Sequence, residues 1–217
     1  MRMRKKKWAE GWMEEHSSYI TKNPSQYKGS WKERLNSDIL HVEIGMGKGD
    51  YLIGMSSIYS DYAWVGIEKD PSAAAVAARK AVEEEHDLSN NMMICSNAEQ
   101  IDEWFDEGEI DVIHLNFSDP WPKSRYHKRR LSSSKFLEMY KKLLSEDGEI
   151  QMKTDNKSLF EDSVLYFLQN GFTLKEFSVD FRRNAHPEDV ITEYESKFME
   201  EGLPIYRLVA IVKQEDE

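Results

Sequence analysis

Strand-like and helix-like segments alternate along most of this 217-residue chain, and that order constrains its fold more than any other feature. Apolar runs predict strands at 38–44, 63–68, 92–95, 110–117, 148–153, 172–180 and 204–212. Helical patterns occupy 8–22, 50–59, 70–81, 98–105, 133–145 and 156–169. Strands that alternate with helices form mostly parallel sheets covered on both faces. The chain is therefore predicted to be an α/β protein with a doubly wound, Rossmann-like, mostly parallel seven-stranded sheet.

The length fits a single domain that spans 1–217. Within it, 1–35 is expected to form a basic N-terminal arm and a helix, and 36–217 the Rossmann-like core. The last two strands are separated by an insertion at about 182–203. That insertion is long enough to contain a short helix and to contribute part of a functional site.

Cysteine use and hydropathy exclude several classes of protein. The single Cys95 cannot form an internal disulfide or a cysteine-based zinc cage, and the six histidines show no ligand-like pairing. We therefore expect no metal. No apolar run reaches the roughly 20 residues of a membrane span, and none forms the core of a secretory signal. These features predict a cytoplasmic protein with no membrane partner.

The charge distribution is more informative than the net charge of −11. Residues 1–7 and 123–130 each contain five Lys or Arg residues and no acid. Setting those ten positive charges aside leaves −21 on the rest of the chain. An acidic body with two basic segments confines a polyanion to one surface. The segment 123–130 therefore predicts a nucleic-acid contact, whereas 1–7 alone could also serve only solubility.

The segment from Glu43 to Asp50 joins the first core strand to the following helix and reads E-I-G-M-G-K-G-D. Its glycines, Gly45, Gly47 and Gly49, permit a sharp turn and a close backbone approach to a ligand. The spacing differs from the G-x-G-x-x-G of dinucleotide-binding loops, and Glu43 would repel a pyrophosphate. The same carboxylate would attract the amino and sulfonium groups of S-adenosyl-L-methionine. That cofactor is favoured, although a structural turn alone could have the same glycine pattern.

Two further residues follow the next strands. Glu68 ends the second core strand, where a carboxylate can bind both hydroxyls of a ribose. Asn97 follows the third strand and could bond an adenine edge or simply cap the next helix. Both positions lie at the carboxyl ends of predicted parallel strands, which is where ligands bind in this fold class.

The fourth core strand ends in the most unusual segment of the chain, which reads F-S-D-P-W-P-K from Phe117 to Lys123. Pro120 and Pro122 limit backbone freedom, so Asp119 is expected to be held in one orientation. Trp121 could pack against a cofactor, against a base or into the core. A rigidly held acid next to a cationic segment indicates chemistry on a polyanion.

These motifs are similar to those of bacterial tRNA (guanine-N7-)-methyltransferases. The similarity runs from the N-terminal M-R-M-R-K-K-K-W to Arg207 and is most specific in S-D-P-W-P-K-x-R-x-x-K-R-R, which starts at Ser118. Other matching segments are 43–50, 153–156 and 192–198. The resemblance implies a class I S-adenosylmethionine-dependent methyltransferase fold, with S-adenosyl-L-homocysteine as the product. It also implies a tRNA substrate whose variable-loop guanosine accepts the methyl group.

The resemblance assigns roles to particular residues. Asp119 is implied to be catalytic. The residues implied to bind the cofactor are Glu43, Gly45, Gly47, Gly49, Glu68, Asn97 and Asp119. Those implied to hold the substrate are Lys123, Asp155, Thr192, Glu193, Tyr194 and Glu195. Those implied to contact RNA are Arg125, Tyr126, His127, Lys128, Arg129 and Arg130. Asn97 stands where an acid is common in the family, and Tyr126-His127 replaces the more usual histidine and charged pair.

Reasoning from the residues leaves three points open. Thr192 with Glu195 three residues later also has the spacing of an ordinary helix start, and Asp155 could be a helix cap. The same fold could serve a nicotinamide-dependent oxidoreductase or a non-catalytic RNA-binding module, both of which fit the glycine loop and Glu43 less well. The sequence is compatible with a monomer or a homodimer.

Overall fold

The computed structural model describes residues 3–214. Its helices are α1 (Ala9–Glu15), α2 (Trp31–Arg34), α3 (Asp50–Ile58), α4 (Pro71–Glu83), α5 (Ser134–Leu143), α6 (Lys157–Gln169) and α7 (Glu193–Glu200). Its strands are β1 (Ile20–Thr21), β2 (Leu40–Ile44), β3 (Ala63–Glu68), β4 (Asn91–Cys95), β5 (Ile110–Asn116), β6 (Leu144–Thr154), β7 (Phe172–Ser178) and β8 (Tyr206–Val212). Short 3₁₀ helices lie at Pro24–Tyr27, Ala98–Glu103, Ser124–Arg129 and Phe181–Arg183.

The described strands form one sheet in the order β1-β4-β3-β2-β5-β6-β8-β7. Neighbours from β1 to β6 are parallel, and β8 is antiparallel to both β6 and β7. The chain runs outwards from β2 in one direction through β3 and β4, and in the other through β5 and β6. The order therefore reverses between β2 and β5, and in open α/β sheets ligands bind at the carboxyl ends of the strands beside such a reversal.

Two apolar clusters cover the faces of the sheet. On one face, β2 and β5 pack against α5 and α6 through side chains such as Phe136, Tyr140 and Phe160. On the other, α1, α3 and α4 pack through side chains such as Met13, Leu52 and Ala78. All five residues of β2 are buried. The strand that carries Glu43 is thus covered by helices on both sides, so Glu43 is held by a rigid element of the fold.

The α/β class and the doubly wound sheet are confirmed, but the prediction of seven strands is wrong by one. The N-terminal helix ends at Glu15 instead of continuing to residue 22, and Ile20 and Thr21 pair with Met93 and Ile94 of β4. Pairing with the open edge of β4 satisfies backbone groups that a helix would otherwise satisfy internally. A two-residue strand has too short a pattern to be predicted from sequence.

Candidate active site

The glycine loop between β2 and α3 lies against the end of β3. Gly45, Gly47 and Gly49 have φ angles of 85°, 56° and 79°, a left-handed region that other L residues rarely adopt. The amides of Gly45 and Met46 both donate to the Ile67 carbonyl, at 2.8 and 3.0 Å. A Cβ atom on Gly49 would lie 3.0 Å from the Cβ of Ala77 in α4. The glycines therefore fix the loop beside β3 and leave its backbone open to a ligand.

Glu43 is a buried carboxylate with incomplete hydrogen bonding. Its Oε1 accepts from Asn116 Nδ2 at 3.1 Å, whereas its Oε2 has no hydrogen-bond partner among the residues that the structure describes. Burial raises the pKa of Glu43 to about 7, although the hydrogen bond from Asn116, the charge of Lys153 and the nearby backbone amide of Leu52 act in the opposite direction. A buried polar atom without a partner is destabilising. Glu43 Oε2 therefore marks a position where a cationic ligand group would be stabilised.

Glu68 connects the glycine loop to the start of α4. Its Oε2 accepts from the Gly47 amide at 3.1 Å and its Oε1 from the Asp70 amide at 2.8 Å. Burial raises the pKa of Glu68, and the two amide bonds oppose that shift. Each carboxylate oxygen can accept a second hydrogen bond. The two amides orient the carboxylate and leave it able to bind ligand hydroxyls.

Asn97 caps a helix, which was one of its two predicted roles. Its Oδ1 accepts from the Glu99 amide at 3.3 Å, at the start of the 3₁₀ helix Ala98–Glu103. The side chain is exposed at the end of β4. Capping uses only Oδ1 of the Asn97 side chain. The predicted contact of Asn97 with adenine would use Nδ2, and it stays a prediction.

The acceptor loop, Phe117 to Trp121, follows β5 directly. Phe117 and Trp121 have φ angles of 49° and 41°, which are uncommon for bulky residues and cost about 1–3 kcal/mol each. Asp119, between them, is 67% exposed, and its Oδ2 lies 3.4 Å from Lys69 Nζ. The loop therefore presents Asp119 to solvent at the same sheet edge as the glycine loop, with one lysine close to it.

Cationic and aromatic side chains stack beside Asp119. The ring centroids of Trp121 and Tyr126 are 6.0 Å apart in an edge-to-face arrangement. The Arg129 guanidinium lies 5.1 Å from the Trp121 ring and 5.0 Å from the Tyr126 ring, and Arg125 lies 4.7 Å from Tyr126. Lys69 Nζ is 5.9 Å from the Trp121 ring. We refer to these five residues as the cation–aromatic cluster. Arg125 and Arg129 are exposed, as are Lys123 and Lys128 on the same segment.

Arg130 differs from the other basic residues of this segment because its side chain is buried in this conformation, and its RNA contact stays a prediction. Its side chain is only 2% exposed and forms an ion pair with Asp162 of α6 at 2.6 Å. It also donates to the Pro120 carbonyl at 2.8 Å and to His127 Nε2 at 2.9 Å. These three partners hold the Arg130 guanidinium in a buried position. His127 is partly buried by the same contacts, so it is not free to bind RNA with Nε2.

The segment at 192–195 divides between surface and interior. Thr192 is buried and caps α7, since its Oγ1 accepts from the Glu195 amide at 3.1 Å. Glu193 is exposed and pairs with Lys48 at 3.3 Å and Lys197 at 2.8 Å. Tyr194 packs against Phe117, with ring centroids 5.3 Å apart. Glu193 and Tyr194 are thus the members of this segment that face the glycine loop and the acceptor loop.

Glu195 is fully buried in this conformation, and its contact with substrate stays a prediction. Its Oε1 accepts from Arg182 Nε at 2.6 Å and its Oε2 from Lys153 Nζ at 3.3 Å. Lys153 and Arg182 also bond Asp189 Oδ1, the latter at 2.6 Å. We refer to these four residues as the paired-acid cluster. Sequence reasoning gave no role to Lys153, Asp189 or Arg182. Polar and apolar residues alternate from Glu149 to Lys153, so the pattern predicts a solvated lysine and gives no signal of its burial.

Asp155 follows β6 and is not the helix cap. The cap of α6 is Asn156, whose Oδ1 accepts from the Leu159 amide at 2.8 Å. Burial raises the pKa of Asp155. Burial also raises the pKa of Tyr194, and the charges of Asp155 and Asp119 raise it further. The charges of both carboxylates therefore act on the same phenol.

The N-terminal basic segment reaches the same sheet edge. The backbone amide of Lys6 donates to Ser72 Oγ at 2.9 Å, in the first turn of α4. Residues 4–7 are exposed, while Met1 and Arg2 lie outside the described residues. Because Lys69 lies near both Asp119 and Trp121, the short connection from Lys69 to Ser72 places both basic segments at the same sheet edge. Their positions in the sequence are more than a hundred residues apart.

No cluster of three or more His, Cys, Asp or Glu residues within 3–214 has the geometry of a metal site. No helix in that range is long and apolar enough to cross a membrane.

Comparisons with solved structures concern the fold. The chain resembles an antibiotic-related methyltransferase with a TM-score of 0.65 and 14% identity, over 83% of this chain and 92% of that chain. A methyltransferase from Aquifex aeolicus, described as SAM-dependent, gives a TM-score of 0.57 and 13% identity, over 88% of this chain and 89% of that one. These likenesses support the class I methyltransferase fold.

Comparisons of sequence are more specific. A family model described as a putative methyltransferase matches residues 37–208. The tRNA (guanine-N(7)-)-methyltransferase of Oceanobacillus iheyensis is 43% identical over 97% of this chain and 98% of its own length. The protein of the same name from Limosilactobacillus reuteri is 40% identical over 98% of this chain and 100% of its own length. With relatives of this identity along nearly its whole length, the chain belongs to the family of tRNA (guanine-N(7)-)-methyltransferases.

Proposed function

We propose that this protein transfers the methyl group of S-adenosyl-L-methionine to N7 of a guanosine in the variable loop of tRNA. The observation that carries the proposal is the meeting of two features at one sheet edge. Glu43 offers a buried, unpartnered carboxylate oxygen to a cationic ligand. Asp119 stands beside the cation–aromatic cluster, which suits a nucleic-acid substrate. The relatives of the same family carry this activity in their names.

The residues around the glycine loop fit this cofactor. Glu43 Oε2 can accept from the amino group and face the sulfonium, and both cations would favour the ionised carboxylate. The Glu68 carboxylate is oriented by the Gly47 and Asp70 amides to bind ribose hydroxyls. A Cβ on Gly47 would meet nothing within 4 Å, so the backbone there is open to a ligand. When bound, S-adenosyl-L-methionine supplies an electrophilic methyl group and is released as S-adenosyl-L-homocysteine.

The acceptor chemistry needs orientation more than proton transfer. Guanine N7 has an in-plane lone pair and carries no proton, so no general base is required. Alignment of two reacting groups can lower a barrier by several kcal/mol, roughly 7–11 in the best intramolecular cases. Asp119 and Asp155 can accept from guanine N1–H and the exocyclic amine and offset the positive charge that develops on the base. Tyr194, packed on Phe117, limits where the base can lie.

The tRNA contacts follow from charge and stacking. Arg125, Arg129 and the exposed lysines of both basic segments can bind phosphates, while the acidic body repels the backbone elsewhere. Extruding a base costs a few kcal/mol, which stacking on Trp121 or Tyr126 would offset. Recognition then depends mainly on tRNA shape and backbone. Binding should weaken steeply between low and high salt, and an affinity that is insensitive to salt would count against these segments.

The first experiment incubates the protein with labelled S-adenosyl-L-methionine and unmodified tRNA transcripts and maps N7-methylguanosine by borohydride–aniline cleavage. We expect cleavage at one variable-loop guanosine, which disappears when that guanosine is replaced. Cofactor binding without methylation of any transcript would contradict the proposed substrate. An enhancement of NADH fluorescence would instead favour an oxidoreductase.

Asp119→Ala tests the catalytic assignment. We expect turnover to fall by at least about a thousandfold, because both alignment and charge stabilisation are lost, while tRNA binding measured by filter retention stays within a few-fold. Asp38→Ala is the matched control, since Asp38 is also exposed but precedes β2 at the opposite edge of the sheet. Equal loss of binding and turnover would make Asp119 a residue of the RNA surface or of the loop structure.

A further inference from the structure

The acceptor loop needs a restraint that its own sequence does not provide. The left-handed φ angles of Phe117 and Trp121 are unfavourable for bulky side chains, so the surroundings must hold them. The start of the loop is held by the sheet, because the Phe117 amide donates to the Lys153 carbonyl at 2.9 Å. Its far end lies beyond the strand pairing of β5, which ends with Asn116.

Arg130 supplies contacts at that far end. Its Nε donates to the Pro120 carbonyl at 2.8 Å, and its Nη1 pairs with Asp162 Oδ2 at 2.6 Å. Its Nη2 donates to His127 Nε2 at 2.9 Å. One guanidinium thus joins the acceptor loop, the 3₁₀ helix Ser124–Arg129 and α6.

The neighbouring groups leave the guanidinium little freedom. A guanidinium has only donors, so Nε2 of His127 must be an acceptor and its Nδ1 must carry the proton. That Nδ1 lies 3.4 Å from the Tyr166 hydroxyl oxygen on α6. Asp162 and Tyr166 are on the same helix, one turn apart. Asp162 orients the guanidinium of Arg130, and Tyr166 orients the ring of His127. The planar fork of arginine matches this set of acceptors in a way that a lysine ammonium cannot.

We infer that Arg130 is a positioning residue, which rests on the proposed function: it holds the acceptor loop so that Asp119 faces the methyl acceptor. Its side chain is 2% exposed in this conformation. The basic segment has two kinds of arginine. Arg125 and Arg129 are exposed and available to phosphates, whereas Arg130 acts through Pro120 on the acceptor loop.

Arg130→Lys and Asp162→Asn test this role in the full-length protein. A displacement of about 1 Å at a reacting group can cost on the order of a hundredfold in rate, and we expect kcat to fall roughly 10- to 100-fold. The dissociation constant for S-adenosyl-L-methionine should stay within twofold, because the glycine loop is untouched. Glu161→Gln is the matched control, as it removes an exposed carboxylate from the same helix, one residue away. A change in cofactor affinity as large as the change in kcat would overturn the inference.

A double-substitution experiment separates positioning from general stability. If Arg130 acts through Asp119, then Arg130→Lys should cause little further loss of single-turnover rate in an Asp119→Asn background. A merely structural role predicts that the two losses multiply. Multiplicative losses would therefore overturn the inference, and a saturated loss would support it.

Native-state proteolysis supplies a readout that does not depend on activity. Asp162→Asn retains every tryptic site, and we expect cleavage within 123–129 to become at least about fivefold faster, while Glu161→Gln leaves it unchanged. Unchanged cleavage in Asp162→Asn, with an active wild type, would overturn the positioning role of Arg130 and leave the proposed function intact. A wild type that methylates no tRNA would overturn the proposed function, and with it the role of Arg130 in turnover, even if the proteolysis result held.

Discussion

Buried acids lie beside the carboxyl ends of β2 and β6, and their hydrogen bonding is satisfied to different degrees. In the paired-acid cluster, the carboxylates of Asp189 and Glu195 accept hydrogen bonds from Lys153 and Arg182. Glu43 is as deeply buried, yet one of its oxygens has no hydrogen-bond partner among the described residues. A buried acid whose oxygens all have hydrogen-bond partners stabilises one conformation. A buried acid with an unpartnered oxygen carries an unfavourable desolvation free energy, which a bound ligand can offset. Burial alone therefore does not identify the binding residue.

The difference also separates their effects on α7. The paired-acid cluster ties Glu195 at the start of α7 to Lys153 on β6 and to the 182–189 segment. This arrangement fixes the helix that carries Tyr194 over the acceptor loop. Glu43 makes no comparable connection, since its hydrogen-bond partner Asn116 lies on the neighbouring strand β5. We therefore expect substitutions in the paired-acid cluster to act on stability and substitutions of Glu43 to act on ligand affinity.

Lys153→Met should have the largest effect on the free energy of unfolding. It removes a cation that is 1% exposed and leaves Glu195 paired only with Arg182, while Asp189 keeps Arg182 and Arg207. Breaking a buried ion pair by removing one partner costs about 3–5 kcal/mol. Urea denaturation at neutral pH would measure this loss.

The matched control for that experiment is Lys157→Met, which removes an exposed lysine from the first turn of α6. Exposed substitutions of this kind usually change stability by less than about 0.5 kcal/mol. A Lys153→Met protein of unchanged stability but impaired cofactor binding would show that the paired-acid cluster belongs to the ligand site, and the contrast with Glu43 would disappear.

Glu43→Gln should show the opposite pattern. We expect the affinity for S-adenosyl-L-methionine to fall roughly 10- to 100-fold, because a charge-assisted hydrogen bond is lost. The protein itself should become up to about 3 kcal/mol more stable at pH 8, since the buried charge is removed. Isothermal titration and urea denaturation of the same preparations would measure both quantities. A loss of stability would show that Glu43 is a structural acid like Glu195.

The pH dependence of wild type sharpens this test. The folded-state pKa of Glu43, about 7, lies above its unfolded value of 4.5, so the folded protein binds the extra proton between these pH values. Stability from this group therefore falls as pH rises through that window. Cofactor affinity changes in the other direction, because only the ionised form pairs with a cation. We expect an increase of about tenfold in affinity from pH 6 to pH 8, and a much flatter profile in Glu43→Gln.

The positions of the strands, the glycine loop and Asp119 could be predicted because their signals are local. Apolar periodicity and glycine spacing depend on neighbouring residues, and the parallel sheet then brings the strand ends together. The roles of Arg130 in RNA binding and of Glu195 in substrate binding are implied by the family resemblance, which does not tell whether either side chain is buried. Their partners, Asp162 and Lys153, lie 32 and 42 residues away in sequence. Whether a charge is buried depends on such long-range pairing, which spacing within a motif does not encode.

Asn97→Ser should give the smallest effect and addresses the predicted adenine contact after β4. Serine retains the cap on the 3₁₀ helix at Ala98–Glu103 but lacks an amide that could reach an adenine ring. Stability should therefore stay within about 0.5 kcal/mol, whereas the loss of one neutral hydrogen bond should weaken cofactor affinity by about fivefold. Asn97→Ala is the control for capping, because it should lose about 1 kcal/mol of stability in addition. If Asn97→Ser binds the cofactor as tightly as wild type, the side chain is only a cap, and recognition at this edge depends on Glu68 and the loop backbone.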